Sequence, residues 1–74
     1  MFLPDTETVE IVVNGESRRA PADLNLDQLL LALGIEPSRV AVERNREIVP
    51  KALWNRTTIR SGDRLEIVQF VGGG

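Results

Sequence analysis

The chain has 74 residues, with nine Lys and Arg against eleven Asp and Glu, a net charge of -2, and neither cysteine nor histidine. A domain this small buries only about 60% of its unfolded surface, which leaves no room for both a core and a deep catalytic cleft, and the missing His and Cys remove the usual general base, thiolates, disulfides and the commonest metal ligands. The acidic balance argues against nucleic acid, the apolar run 29–33 is too short to span a membrane, and the N-terminus lacks the basic and apolar segments of a signal peptide, so a single cytoplasmic domain is expected.

Residues 1–7 read as a loose head. Thr8-Val9-Glu10-Ile11-Val12-Val13 is β-branched and predicts a strand. Asn14-Gly15 is a strong hairpin signal, because both residues tolerate positive φ. Residues 17–20 are the returning strand, which Pro21 ends. Asn25 is a good helix N-cap, and Gln28 three residues later completes a capping box. Leu24 and Leu29 stand at the positions of a hydrophobic staple. Leu26, Leu29, Leu30 and Leu33 follow helical spacing and form one core-facing stripe. Gly34 is placed for a left-handed C-cap, and Pro37 prevents continuation. Residues 39–43 predict a strand, Asn45-Arg46 a two-residue turn, and residues 47–49 a short return that Pro50 stops. Residues 51–56 form a helical turn, 57–59 an extended piece, and Ser61-Gly62-Asp63 a turn. The last strand, residues 64–71, runs directly into Gly72, Gly73 and Gly74. Strands around a single helix predict an α+β fold with the helix on one sheet face. In this order the first and last strands pair in parallel at the sheet centre through a right-handed crossover.

Side chains of the last strand alternate between faces. With Leu65 and Ile67 inward, Glu66, Val68 and Phe70 point outward, and Val68 with Phe70 beside the tail makes a docking patch. The other reading folds Phe70 back over the sheet edge as core. Trp54 is expected to pack over a thin edge of the core. Arg18, Arg19, Arg44, Arg46, Arg56, Arg60 and Arg64 are scattered among acids and read as solvated surface, with one or two of them pairing with acids on a partner. The pairs Asp23 with Asp27 and Glu43 with Glu47 have no cleft to desolvate them as acid/base machinery.

The tail has two readings. A glycine run is costly to order, and a frayed end is the plain one. The functional reading notes that a strand aims the glycines outward, that three extended residues at ~3.3–3.6 Å each reach roughly 10 Å, and that the terminal carboxylate is unhindered. A carboxylate becomes an acyl donor once an ATP-using enzyme converts it to an acyl-adenylate. A sulfur nucleophile then displaces AMP and leaves a thiocarboxylate. In that scheme the protein is substrate and carrier and needs no His or Cys.

The segment Val40-Ala41-Val42-Glu43-Arg44-Asn45-Arg46-Glu47-Ile48-Val49-Pro50, then Trp54, then Ser61-Gly62-Asp63-Arg64-Leu65-Glu66-Ile67-Val68-Gln69-Phe70-Val71-Gly72-Gly73-Gly74, resembles the thiamine-biosynthesis sulfur-carrier proteins (ThiS). The strand Ile11-Val12-Val13-Asn14-Gly15-Glu16 and the helix end Leu29-Leu30…Leu33-Gly34-Ile35 resemble it too, so nearly the whole chain is covered. The ending is shared with other ubiquitin-like sulfur carriers. The Asn-x-x-Ile-Val-Pro piece with a following Trp favours the thiamine branch.

The resemblance implies a β-grasp fold, with a mixed four- to five-stranded sheet on one main helix. It implies that Gly74 is adenylated by an E1-like adenylyltransferase and takes the sulfur, while Gly72 and Gly73 thread the partner's channel. ATP is used by that partner, and the carrier itself holds no cofactor or metal. A sulfur-donor protein loads it, thiazole synthase receives the sulfur, and the free carrier is expected to be a monomer. A triple glycine stands where two would suffice, so the need for Gly72 stays open. The competing readings are a carrier for molybdopterin or cysteine synthesis, a ubiquitin-like interaction module with a passive tail, and an enzyme in its own right, which the missing cleft and residues oppose.

Overall fold

Six residues of alternating burial, Thr8–Val13, form strand β1, and Glu16–Pro21 returns antiparallel as β2. Asn14 and Gly15 join them at φ 50° and 85°, the two positive values that a type I′ turn requires. β2 is one residue longer at each end than its sequence predicts. Pro21 pairs with Thr8 on an edge strand, where a missing N–H is tolerated. The structure, a computed structural model, describes residues 7–70. Residues 1–6 of the head, Val71 and the tail Gly72, Gly73 and Gly74 lie outside the described residues. Glu7, assigned to the head, is already tied in, its carbonyl accepting from the Ala22 amide at 2.8 Å.

Helix α1 spans Leu26–Ala32 with the expected capping box. The Gln28 amide donates to Asn25 Oδ1 at 2.8 Å, and the Asn25 amide donates to Gln28 Oε1 at 2.9 Å. It ends in a Schellman motif, the Ile35 amide donating to the Leu30 carbonyl and the Gly34 amide to the Leu31 carbonyl, with Gly34 at φ 74°. A 3₁₀ turn, Pro37–Arg39, leads to β3, Val40–Arg44, and a short β4, Glu47–Ile48. β3 starts one residue late because Pro37 fixes a helical φ that carries Arg39 into the turn. A second 3₁₀ helix, Lys51–Arg56, and an extended stretch lead to β5, Arg64–Gln69.

The sheet order is β2-β1-β5-β3-β4, with β5 parallel to β1 and antiparallel to β3. This is the mixed sheet of a β-grasp fold, with the last strand at its centre. Its inner face contributes Ile11, Val13, Ala20, Val40, Val42 and Leu65 to the core, and the helix contributes Leu26, Leu29 and Leu30. Leu33 is only half-buried, because as the helix C-cap it sits at the rim. Trp54 departs from its expected place over an edge. It is fully buried, and its Nε1 donates to the Val49 carbonyl at 2.8 Å. Satisfying that one polar atom lets the whole indole enter the core.

The β3–β4 turn places Asn45 at φ 52° and Arg46 at φ 74°. Asn tolerates that region, but a long side chain with a Cβ is strained there. Arg46→Gly is expected to raise the unfolding free energy by about 0.5–1 kcal/mol, the relieved strain exceeding the added freedom of the unfolded chain. Urea denaturation of the two proteins measures it.

Candidate functional site

The candidate site is β5, because it leads to the glycines, and both of its ends are fastened by side chains. At its start lies Asp63, 5% exposed. Its Oδ2 accepts from Arg44 Nε at 2.9 Å and from the Arg60 amide at 2.8 Å, and its Oδ1 accepts from Asn45 Nδ2 at 3.1 Å. Asn45 Oδ1 in turn accepts from the Arg64 amide at 2.9 Å, the first residue of β5. The node thus joins the β3–β4 turn to the entry of the central strand. Burial pushes the Asp63 carboxyl up, but the hydrogen bonds from Arg44, the Arg60 amide and Asn45, with the Arg44 charge, outweigh it and hold it below the ordinary 3.8.

Near the other end stands Asn14 of the β1–β2 turn. Its amide donates to the Leu65 carbonyl at 2.9 Å. Its Oδ1 accepts from the Ile67 amide at 2.8 Å, and its Nδ2 donates to the Ile67 carbonyl at 3.3 Å. On the opposite edge the Phe70 amide donates to the Arg39 carbonyl at 2.8 Å, so pairing with β3 continues one residue past the strand.

The faces of β5 divide as the alternation predicts. Leu65 is buried and Ile67 packs half-buried against the core, while Val68 is 54% and Phe70 58% exposed. Phe70 is therefore not folded back into the core. Register adds neighbours that strand spacing alone did not supply. Ala41 lies opposite Val68, Glu43 opposite Glu66, and Ile48, 69% exposed, opposite Glu43. Opposed residues share a face, so Ala41 and Ile48 lie on the face of the Val68–Phe70 patch, with Glu43 and Glu66 in the same row as Ile48. The predicted tail residues Gly72, Gly73 and Gly74 lie outside the described residues, just beyond this strand.

Sequence reading missed the Asp63 node and the second role of Asn14, and one of its expectations is corrected. Arg44, expected among solvated arginines, pairs with a buried carboxylate. The sheet register places it beside Leu65, next to Asp63, a proximity that linear spacing does not contain. The one signal available was an Asp directly ahead of the strongest strand.

Comparison with known proteins agrees with this geometry. The model of the ThiS family matches residues 7–74. A crystal structure of a thiamine biosynthesis protein (ThiS) from Geobacter metallireducens superposes with a TM-score of 0.79 at 33% identity, over 89% of this chain and 100% of that one. The sulfur carrier protein ThiS of Bacillus subtilis is 36% identical over 63 residues, 84% of this chain and 96% of its own. A thiazole synthase of Paramagnetospirillum magneticum is 47% identical over 66 residues, 89% of this chain. The chain spans only 20% of that longer protein.

The node makes a testable pH dependence. The folded carboxyl titrates below its unfolded value, so its contribution is complete above about pH 4 and is lost as pH falls through the folded pKa. Asp63→Asn turns an acceptor toward three donors with an NH₂ in their midst. It is expected to lower the unfolding free energy at neutral pH by about 2–3 kcal/mol and to flatten the acid limb. Urea titrations from neutral to acid pH measure both.

Proposed function

The chain belongs to the ThiS family, and on that premise we propose that it is a sulfur carrier of thiamine biosynthesis whose Gly74 carboxylate becomes a thiocarboxylate. The observation that carries this reading is that the family match runs through Gly74 on a chain whose central strand leads there. In the proposed cycle an E1-like adenylyltransferase brings ATP, the carboxylate attacks the α-phosphate, and pyrophosphate leaves. Sulfide-level sulfur supplied by a donor protein then attacks the acyl carbon, the bond from that carbon to the phosphate oxygen breaks, and AMP departs to leave the thiocarboxylate. Gly72 and Gly73, without side chains, thread the partner's channel. The chain holds no cofactor of its own in this scheme, acts as a cytoplasmic monomer between encounters, and leaves the catalysis to its partners.

Thiazole synthase is the proposed acceptor. In P. magneticum a segment 47% identical to this chain is part of a protein of that name, which favours the thiamine branch over molybdopterin or cysteine synthesis. Val68 and Phe70, with Ile48 two strands away on the same sheet face, are the proposed docking surface. Apolar groups exposed together on one sheet face beside the tail are the kind of patch that marks an interface.

Intact-mass spectrometry after incubation with the adenylating enzyme, ATP and a sulfur source tests the chemistry. One oxygen of the C-terminal fragment is expected to be replaced by sulfur, and deletion of Gly74 to abolish that change with the fold intact. An unchanged mass with a demonstrably active enzyme sinks the proposal in favour of a passive tail. For the docking surface, the double variant Val68→Ala, Phe70→Ala is expected to raise the KM of loading roughly tenfold or more. Its stability should stay within about 0.5 kcal/mol per site of the parent, as for other exposed positions.

A further inference from the structure

β1 turns away at Asn14, two residues short of where its partner strand still needs a neighbour. The paired residues of β1 and β5 are Val12 with Arg64 and Val13 with Leu65. The next rung falls to the Asn14 side chain, which presents one acceptor and one donor to the amide and carbonyl of Ile67. A carboxamide carries the same donor and acceptor groups as a peptide, so the side chain continues the parallel ladder where the backbone has left it. Beyond it lies an open depression of about 390 Å³, lined among others by Asn14, Ile35, Ile67 and Gln69. Among the described residues, no strand covers β5 on that side past the Asn14 rung.

From this geometry we infer that Asn14 is a positioning residue for the tail. It keeps β5 held on both edges as far as Ile67, so that the end of the strand and its Val68–Phe70 face keep one place in the sheet. A partner that docks on that face then meets the strand end, from which the tail starts, in one arrangement. Orientation of this kind acts on the chemical step and not on the encounter. The inference rests on the sulfur-carrier reading and deepens it. It also explains why a residue of the first hairpin is matched to the last strand: Asn14 holds φ 50° for its turn while its side chain serves β5.

Two substitutions separate those roles. Asn14→Gly keeps the left-handed turn and removes the rung. Asn14→Asp keeps the turn and the acceptor but removes the donor. Amide hydrogen exchange read by NMR is expected to show Ile67 exchanging about tenfold faster in the glycine variant, as the loss of two ordinary hydrogen bonds gives, with a smaller change in the aspartate variant. In steady-state loading by the adenylating enzyme, well below the melting temperature, kcat is expected to fall about tenfold in Asn14→Gly with KM little changed. That split is opposite to the one expected for Val68 and Phe70, and a role limited to stability would move neither constant. An unchanged kcat, or unchanged Ile67 exchange, overturns the inference while normal loading of the parent protein leaves the carrier reading standing. Failure of the parent protein to load overturns both. If the glycine variant does not fold, Asn14→Asp carries the same test with the same directions.

Discussion

The whole architecture depends on seating the last strand between two strands made long before it. β5 is bordered by β1 on one side and β3 on the other, so the two halves of the sheet are not joined until it arrives. Its inner residues, Leu65 and Ile67, close a core that the helix and hairpin line from the other sides. The Asp63 node secures the entry of that strand. A buried carboxylate is tolerated because three donors meet it, one of them the Arg44 guanidinium. Remove the node and the strand that delivers the tail loses the point from which its register is counted.

Alternation along one strand lets a very small domain do two things in one place. Leu65 and Ile67 of β5 belong to the core, and Arg64, Glu66 and Val68 belong to the surface. In the sequence Phe70 stands two positions ahead of Gly72, so a partner that grips the patch sits beside the start of the tail. Side-chain rungs at the two ends, Asn45 to Arg64 and Asn14 to Ile67, do what longer neighbouring strands would do in a larger protein. The fold thereby spends few residues on rigidity. It is also economical with polar burial: among the described residues Asp63 is the buried charged side chain, and every buried side-chain polar atom there has a partner.

Much of this was legible in the sequence because the signals were local. The Asn14-Gly15 turn, the Asn25/Gln28 box, the Gly34 cap and the leucine spacing each act within a few residues, and each element formed where its signal stood. The alternation that exposes Val68 and Phe70 is local too. What escaped was set by register. Arg44 reaches Asp63, and Asn14 reaches Ile67 across 53 positions, only because particular strands are neighbours. Trp54 was misplaced for a related reason: its burial hangs on the Val49 carbonyl, an acceptor whose position depends on how the chain leaves β4. The tail's chemistry came from family likeness, since three glycines by themselves specify reach and nothing about sulfur.

The parallel pairing of β1 with β5 has a consequence for how the molecule is born. Val12 and Val13 await partners more than fifty positions downstream, and contacts of that separation form late because a long loop must close first. During synthesis at about 5–20 residues per second, the hairpin and helix emerge with a vacant slot where their central strand belongs. The sheet closes only after residues 64–69 have left the ribosome. A chain cut short before them keeps an open slot flanked by two unpaired strand edges, the kind of surface that recruits another strand. Completion of the fold and delivery of the strand that leads to the tail are therefore the same event, and a copy cut short before β5 can neither close its sheet nor present the tail.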